Sequence, residues 1–167
     1  MIIDNGGRTE FDSGAVRDIK TANGRCDLLP LDIVSALLHN DAVIWYIEMF
    51  KCTGSGQYLL SAVQQFIKEC EMSEQTAMLD LSIHFKEGAE KYGEYNWQKG
   101  IPLHSYVDSA MRHYLKHKRG DDDEPHDRAF IWNCICGAWT ACHKPEMNDY
   151  LQAENNDGIY TVSAEEN

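Results

Sequence analysis

"PLDIVSALLHNDAVIWYIEMF", Pro30 to Phe50, decides the fold class. Its apolar positions Ile33, Val34, Leu37 and Leu38, then Val43, Ile44 and Ile47, recur at intervals of three and four. That is the repeat of a helix face, not the alternation of a strand. A break is expected near Asn40-Asp41, which interrupts the stripe. Working outward, "CTGSGQ" reads as a flexible connection. Tyr58 to Cys70 gives a second helix with Leu59, Leu60, Val63, Phe66 and Ile67 on one side. Ser73 is a good N-cap for a third, Glu74 to Tyr92. Gly93 and Gly100 bracket an irregular segment. Pro102 opens a fourth helix that Gly120 stops after Arg119. "DDDEPHD" supplies the acidic start of a fifth, with Asp122 or Asp123 as N-cap and Ala129 to Cys142 as its apolar body. Residues 11–30 read as an ordered loop or arm. From Lys144 onward the chain reads as a polar tail, with "GIYTVS" as a weak strand signal. The expected class is all-α, a bundle of about five helices.

Composition narrows the function. The 167 residues suit one domain, and 43% hydrophobic with 25% charged residues is globular composition. A net charge of −12 argues against broad electrostatic binding to nucleic acid. The longest apolar run, Ala42 to Phe50, is interrupted by Glu48 and too short to span a bilayer. No signal-peptide pattern opens the chain, so a cytoplasmic protein without membrane partners is expected. Of six cysteines, Cys26, Cys52 and Cys70 stand apart, and Cys134, Cys136 and Cys142 fall in "CICGAWTACH". On a helix, residues two apart point about 200° from one another, so buried thiols are expected instead of a zinc site on cysteines.

Three segments carry candidate chemistry. Asp80, His84, Glu87 and Lys91 follow intervals of four, three and four and share a helix face, flanked by Glu90. Two readings are open: a solvated face with pairs such as Glu87–Lys91, or inward carboxylates holding a divalent ion. "GDDDEPHDRAFIWN" packs Asp121, Asp122, Asp123, Glu124, His126 and Asp127 together. The helix dipole accounts for one or two of these acids. Glu124 and Asp127 stand three apart and Asp123 and Asp127 four apart, so either pair could aim at one Mg2+ or Mn2+. The fourth helix offers Asp108–Arg112 and His113–His117 as spaced pairs, and Arg112-His113 either packs at the surface or faces a phosphate.

"FDSGAVRD", "GRCDLLP", "GAEKYGEYNWQKG" and "DSAMRHYLKHKRGDDDEPHDRAFIWN" together resemble the phage and prophage family of dATP/dGTP diphosphohydrolase N-terminal domains, within the MazG-like all-α NTP pyrophosphatases. The resemblance spans residues 11–143. It implies a single domain over 1–143 with an insertion at 40–72, a tail over 144–167, and a dimer or tetramer. It also implies hydrolysis of a purine dNTP, dGTP or dATP, to the monophosphate and pyrophosphate with Mg2+ or Mn2+. On that reading Glu87, Glu90, Asp123, Glu124 and Asp127 hold metal. Glu87, Lys91, Arg112, His113 and His126 are the catalytic candidates. Arg17, Arg25, Lys91 and Arg112 meet phosphate, Tyr92 or Trp97 stacks on the base, and Asn96 reads a base edge or sugar. The competing classes are a phage protein that sequesters a nucleotide or nucleotide-derived signal without cleaving it, and a purely structural helical protein.

Overall fold

The computed structural model describes residues 7–18 and 24–154, with side chains to Leu151. Among these residues seven α-helices form the protein: α1 Leu31–Leu37, α2 Ala42–Thr53, α3 Gly56–Glu69, α4 Glu74–Tyr92, α5 Leu103–Arg119, α6 His126–His143 and α7 Asp149–Glu154. A short antiparallel hairpin, β1 Arg8–Glu10 with β2 Val16–Asp18, precedes them, with Thr9 opposite Arg17. The class is all-α. None of the described helices is long and apolar enough to cross a membrane.

The expected break between the first two helices is a tight reversal. His39 and Asn40 both adopt positive φ, 62° and 61°. Asp41 then caps α2 by accepting the Ile44 N–H at 3.1 Å. The apolar stripe divides there. Val43, Ile44, Ile47 and Phe50 are fully buried, whereas Ile33 and Leu37 on α1 remain 63% and 75% exposed. A helix of two turns that ends in a reversal packs only one narrow face, here Leu31 and Ser35.

α5 and α6 form the largest helix pair, α3 packs on α6, and α2 on α3. Phe66, Tyr114 and Phe130 meet at the centre, with Phe66 and Phe130 centroids 4.6 Å apart. α3 and α6 approach so closely that a Cβ on Gly56 would lie 2.9 Å from the Ala138 carbonyl oxygen. Cys134 and Cys136 are fully buried, and burial pushes both thiols well above their ordinary pKa.

α4 matches its expected span and its Ser73 cap, which accepts the Thr76 N–H. α5 ends at Gly120, whose φ of 86° closes the helix through its N–H to Lys116 and His117. Pro102 and Pro125 occupy N-cap positions of α5 and α6. Neither Asp122 nor Asp123 caps α6; the helix begins at His126, two residues past Glu124, with no side-chain cap. Beyond Lys144 the chain packs back on the bundle. Asn148 is buried, Asp149 accepts the His104 N–H at 3.1 Å, and Tyr150 meets Phe50 edge-on. The "GIYTVS" segment lies outside the described residues.

Candidate functional site

A cleft of about 640 Å³ opens between β2, the C-terminal half of α4, the 96–99 turn, and the facing parts of α5 and α6. The hairpin forms its floor because Asn96 grips it. The Asn96 amide accepts the Val16 N–H at 3.0 Å and donates to the Val16 carbonyl at 2.9 Å. Ser13 adds a hydrogen bond to the Gly100 carbonyl. Asn96 is buried, and its amide is spent on this anchor, so the expected base-edge contact gives way to a structural one.

Anchoring β2 pushes Arg17 into the bundle. Its guanidinium donates to the Ser105 carbonyl at 2.9 Å and to Asn133 Oδ1 at 2.7 Å, over the rings of Tyr106 and Trp132. Burial lowers its pKa, and it pairs with no carboxylate among the described residues. Partly enclosing a guanidinium that has no carboxylate partner among the described residues is costly, and an anion in the cleft would offset that cost. Four cations line the cleft, Arg17, Lys86, Arg112 and Lys116, against four carboxylates, Asp18, Glu94, Asp123 and Glu124. In a chain with 27 acidic and 15 basic residues this balance is a local enrichment of positive charge. Tyr92, Tyr95, Trp97 and Trp132 add aromatic surface.

At one end the chain between α5 and α6 folds over His113. His113 Nδ1 lies 3.0 Å from His126 Nδ1, and both lie 3.6 Å from Glu124 Oε1. The other ring nitrogen of His126 is 2.8 Å from Asp123 Oδ1, and Lys116 reaches the second Asp123 oxygen at 2.8 Å. These hydrogen bonds, Lys116 first, hold the Asp123 carboxyl down at about 2. Two groups of side chains here can hold a divalent ion: His113, Glu124 and His126, and Asp121, Asp123 and His126.

The remaining expected residues are placed elsewhere. Glu87 faces the α6 start, where it accepts from Arg128 at 3.2 Å through both oxygens. Glu90 is exposed, 3.8 Å from Lys86. Asp127 accepts the Arg128 N–H, and its charge is felt at Cys70, where burial and then Asp127 raise the thiol pKa. Glu124 precedes α6, so its separation from Asp127 is not a helical i,i+3 spacing. Lys91 is bound to Asp18 at 2.6 Å. Arg25 holds Asp27, away from the cleft. Arg112 lines the cleft while paired with Asp108 and donating to the Gly24 carbonyl. Tyr92 and Trp97 line it too, Trp97 packed edge-on against Phe85 and Trp139. His117 turns to Cys70 and Phe66 instead of joining His113.

Sequence reasoning missed Lys116, Trp132 and Asn133 as cleft residues. Lys116 was findable, being four residues after Arg112 on the face that also carries His113. Trp132 and Asn133 sit inside the apolar run of α6 and give no signal. His84, also on the cleft wall, is buried against Trp132, and its Nδ1 has no hydrogen-bond partner among the described residues. Burial, and then Arg128, lower its pKa to about 4, so it is neutral at pH 7.

Fold and cleft together define a class: an all-α bundle whose cation- and aromatic-lined cleft sits beside a histidine–carboxylate group able to hold a divalent ion. Residues 68–150 match the family model described as dATP/dGTP diphosphohydrolase, N-terminal. The match takes in α4, α5, α6 and thus most of the cleft wall, and the family's description is that of a diphosphohydrolase. No curated protein and no solved structure matches the chain.

Proposed function

We propose that the protein hydrolyses a purine deoxynucleoside triphosphate, dGTP or dATP, to the monophosphate and pyrophosphate with the help of a divalent ion. The observation that carries this reading is Arg17, half-buried and paired with no carboxylate among the described residues, facing the same cleft as Arg112, Lys116 and the His113–Glu124–His126 group. A triphosphate is an anion large enough to meet all of them. Arg17 and Lys116 hold phosphate oxygens and balance the charge that develops on them during displacement. Arg112, already tied to Asp108, contributes as a fixed fork and not as a mobile one. Tyr92 and Trp132 offer ring faces to the base; stacking of this kind is worth about 1–3 kcal/mol and tolerates any base. A divalent ion bound at the group would lower the pKa of a coordinated water and polarise the phosphoryl oxygens.

The test is incubation with each of the four dNTPs and Mn2+, followed by 31P NMR of the products. The expected result is dGMP or dAMP with pyrophosphate, and purine turnover at least about tenfold above pyrimidine, the kind of margin one unsatisfied polar group imposes. Release of inorganic phosphate would contradict the reaction assigned. Nucleotide bound but returned intact would move the protein to the sequestering class.

A further inference from the structure

The acidic run between α5 and α6 suggested oxygen ligands and hence Mg2+ or Mn2+, but the donor atoms that converge there include two imidazole nitrogens. The geometry points to a first-row transition ion, not Mg2+, as the cation of the His113–Glu124–His126 group. This deepens the hydrolase reading, on which only the ion's catalytic use depends. The two imidazole Nδ1 atoms lie 3.0 Å apart, and each is 3.6 Å from Glu124 Oε1. Neighbouring ligands on an ion with bonds of about 2.0–2.2 Å stand roughly 3.0–3.6 Å apart, so the triangle has the size of one coordination face. A hydrogen bond can join the two imidazoles at 3.0 Å, but at 3.6 Å neither nitrogen makes a good one to Glu124, so hydrogen bonding does not account for the carboxylate's place in the triangle.

Two imidazole nitrogens and one carboxylate suit Mn2+, Fe2+, Co2+, Ni2+ or Zn2+, whereas Mg2+ favours oxygen throughout. The outer contacts agree. Asp123 Oδ1 at 2.8 Å from His126 Nε2 fixes the ring proton on that nitrogen and leaves the Nδ1 lone pair aimed at the group. The His126 ring is 1% exposed and therefore held by packing, while His113 and Glu124 border the cleft. The open coordination positions thus face the space lined by Lys116 and Arg112, where a phosphate oxygen or water would complete the sphere.

Metal binding by the full, tag-free chain without nucleotide tests this directly. Co2+ titration followed by visible absorption is expected to show a site displaced by equimolar Zn2+ and retained in hundredfold excess Mg2+. Asp123→Asn and Glu124→Gln, both outside the packed core, are expected to weaken Co2+ about 10–100-fold, and Glu90→Gln to leave it unchanged. Mn2+-loaded protein should show imidazole 14N coupling by pulsed electron paramagnetic resonance. Absence of that coupling, displacement of Co2+ by equimolar Mg2+, or unchanged affinity in both variants would overturn the inference. Hydrolysis supported by Mg2+ with no such Co2+ site would overturn it and leave the hydrolase reading intact. The full binding pattern with dNTPs left uncleaved would uphold it and sink that reading.

Discussion

The molecule carries two acid-rich segments that look alike as sequence and differ completely as structure. On α4, Glu87 and Glu90 lie along a regular helix, and each meets a cation, Arg128 or Lys86. Between α5 and α6, Asp123 and Glu124 lie outside any helix, folded against two histidines. A helix spreads its acids along a face, where long basic side chains can reach them singly. A turn held by Gly120 and Pro125 brings two of its acids, Asp123 and Glu124, onto the two ring nitrogens of His126. What decides the chemistry is the backbone that presents the carboxylates, not how many there are.

The largest effect expected from this contrast is on turnover. Glu124→Gln keeps the side-chain shape, removes the carboxylate of the His113–Glu124–His126 group, and should slow dNTP hydrolysis by two to three decades, about 3–4 kcal/mol of barrier. Steady-state rates under saturating Mn2+ would show it, and a rate within threefold of the native protein would break the comparison.

The α4 stripe should instead govern stability. Buried His84, with its pKa lowered from 6.5 to about 4, resists protonation while the unfolded chain takes up a proton below pH 6.5. Its contribution is whole above pH 6.5, falls as the pH drops, and is exhausted near pH 4, amounting to about 3 kcal/mol. Urea unfolding of the native protein and His84→Leu at pH 7 and pH 4.5 reads the difference; equal pH slopes in the two would remove His84 from the account.

Glu87→Gln should matter next, through Arg128. Those side chains are only 21% and 12% exposed, so losing the charge leaves a largely enclosed guanidinium without its partner. A cost of about 1–2 kcal/mol in unfolding free energy is expected, below that of a fully buried pair, with little change in turnover per folded molecule. The smallest effect is that of Glu90→Gln: an exposed carboxylate 3.8 Å from Lys86 should change stability by less than about 0.5 kcal/mol and activity not at all.

Much of the helical layout was legible because its determinants are local. Ser73 and Gly120 mark the ends of α4 and α5 by hydrogen bonds within their own turns, and the break near Asn40 needs only two left-handed residues. The site was less legible because its contacts are distant in sequence. Asn96 and Val16 lie 80 residues apart, and Lys91 and Asp18 lie 73 apart, so nothing near Asn96 or Lys91 reveals that hairpin and helix consume their polar groups. One clue was present. The residue before a proline avoids helical backbone, so Glu124 ahead of Pro125 was unsuited to pair with Asp127 at helical spacing. His113 and His126 were visible as residues, but their meeting depends on how the chain turns between α5 and α6.

Crystals grown with Mn2+ and a non-hydrolysable dGTP analogue, measured at the manganese edge, test the central claim most directly. The account predicts an anomalous difference peak between His113 Nδ1, His126 Nδ1 and Glu124, with the analogue's phosphates against Arg17 and Lys116. A peak held by Glu87 and Glu90, with the 123–126 turn bare, would contradict it.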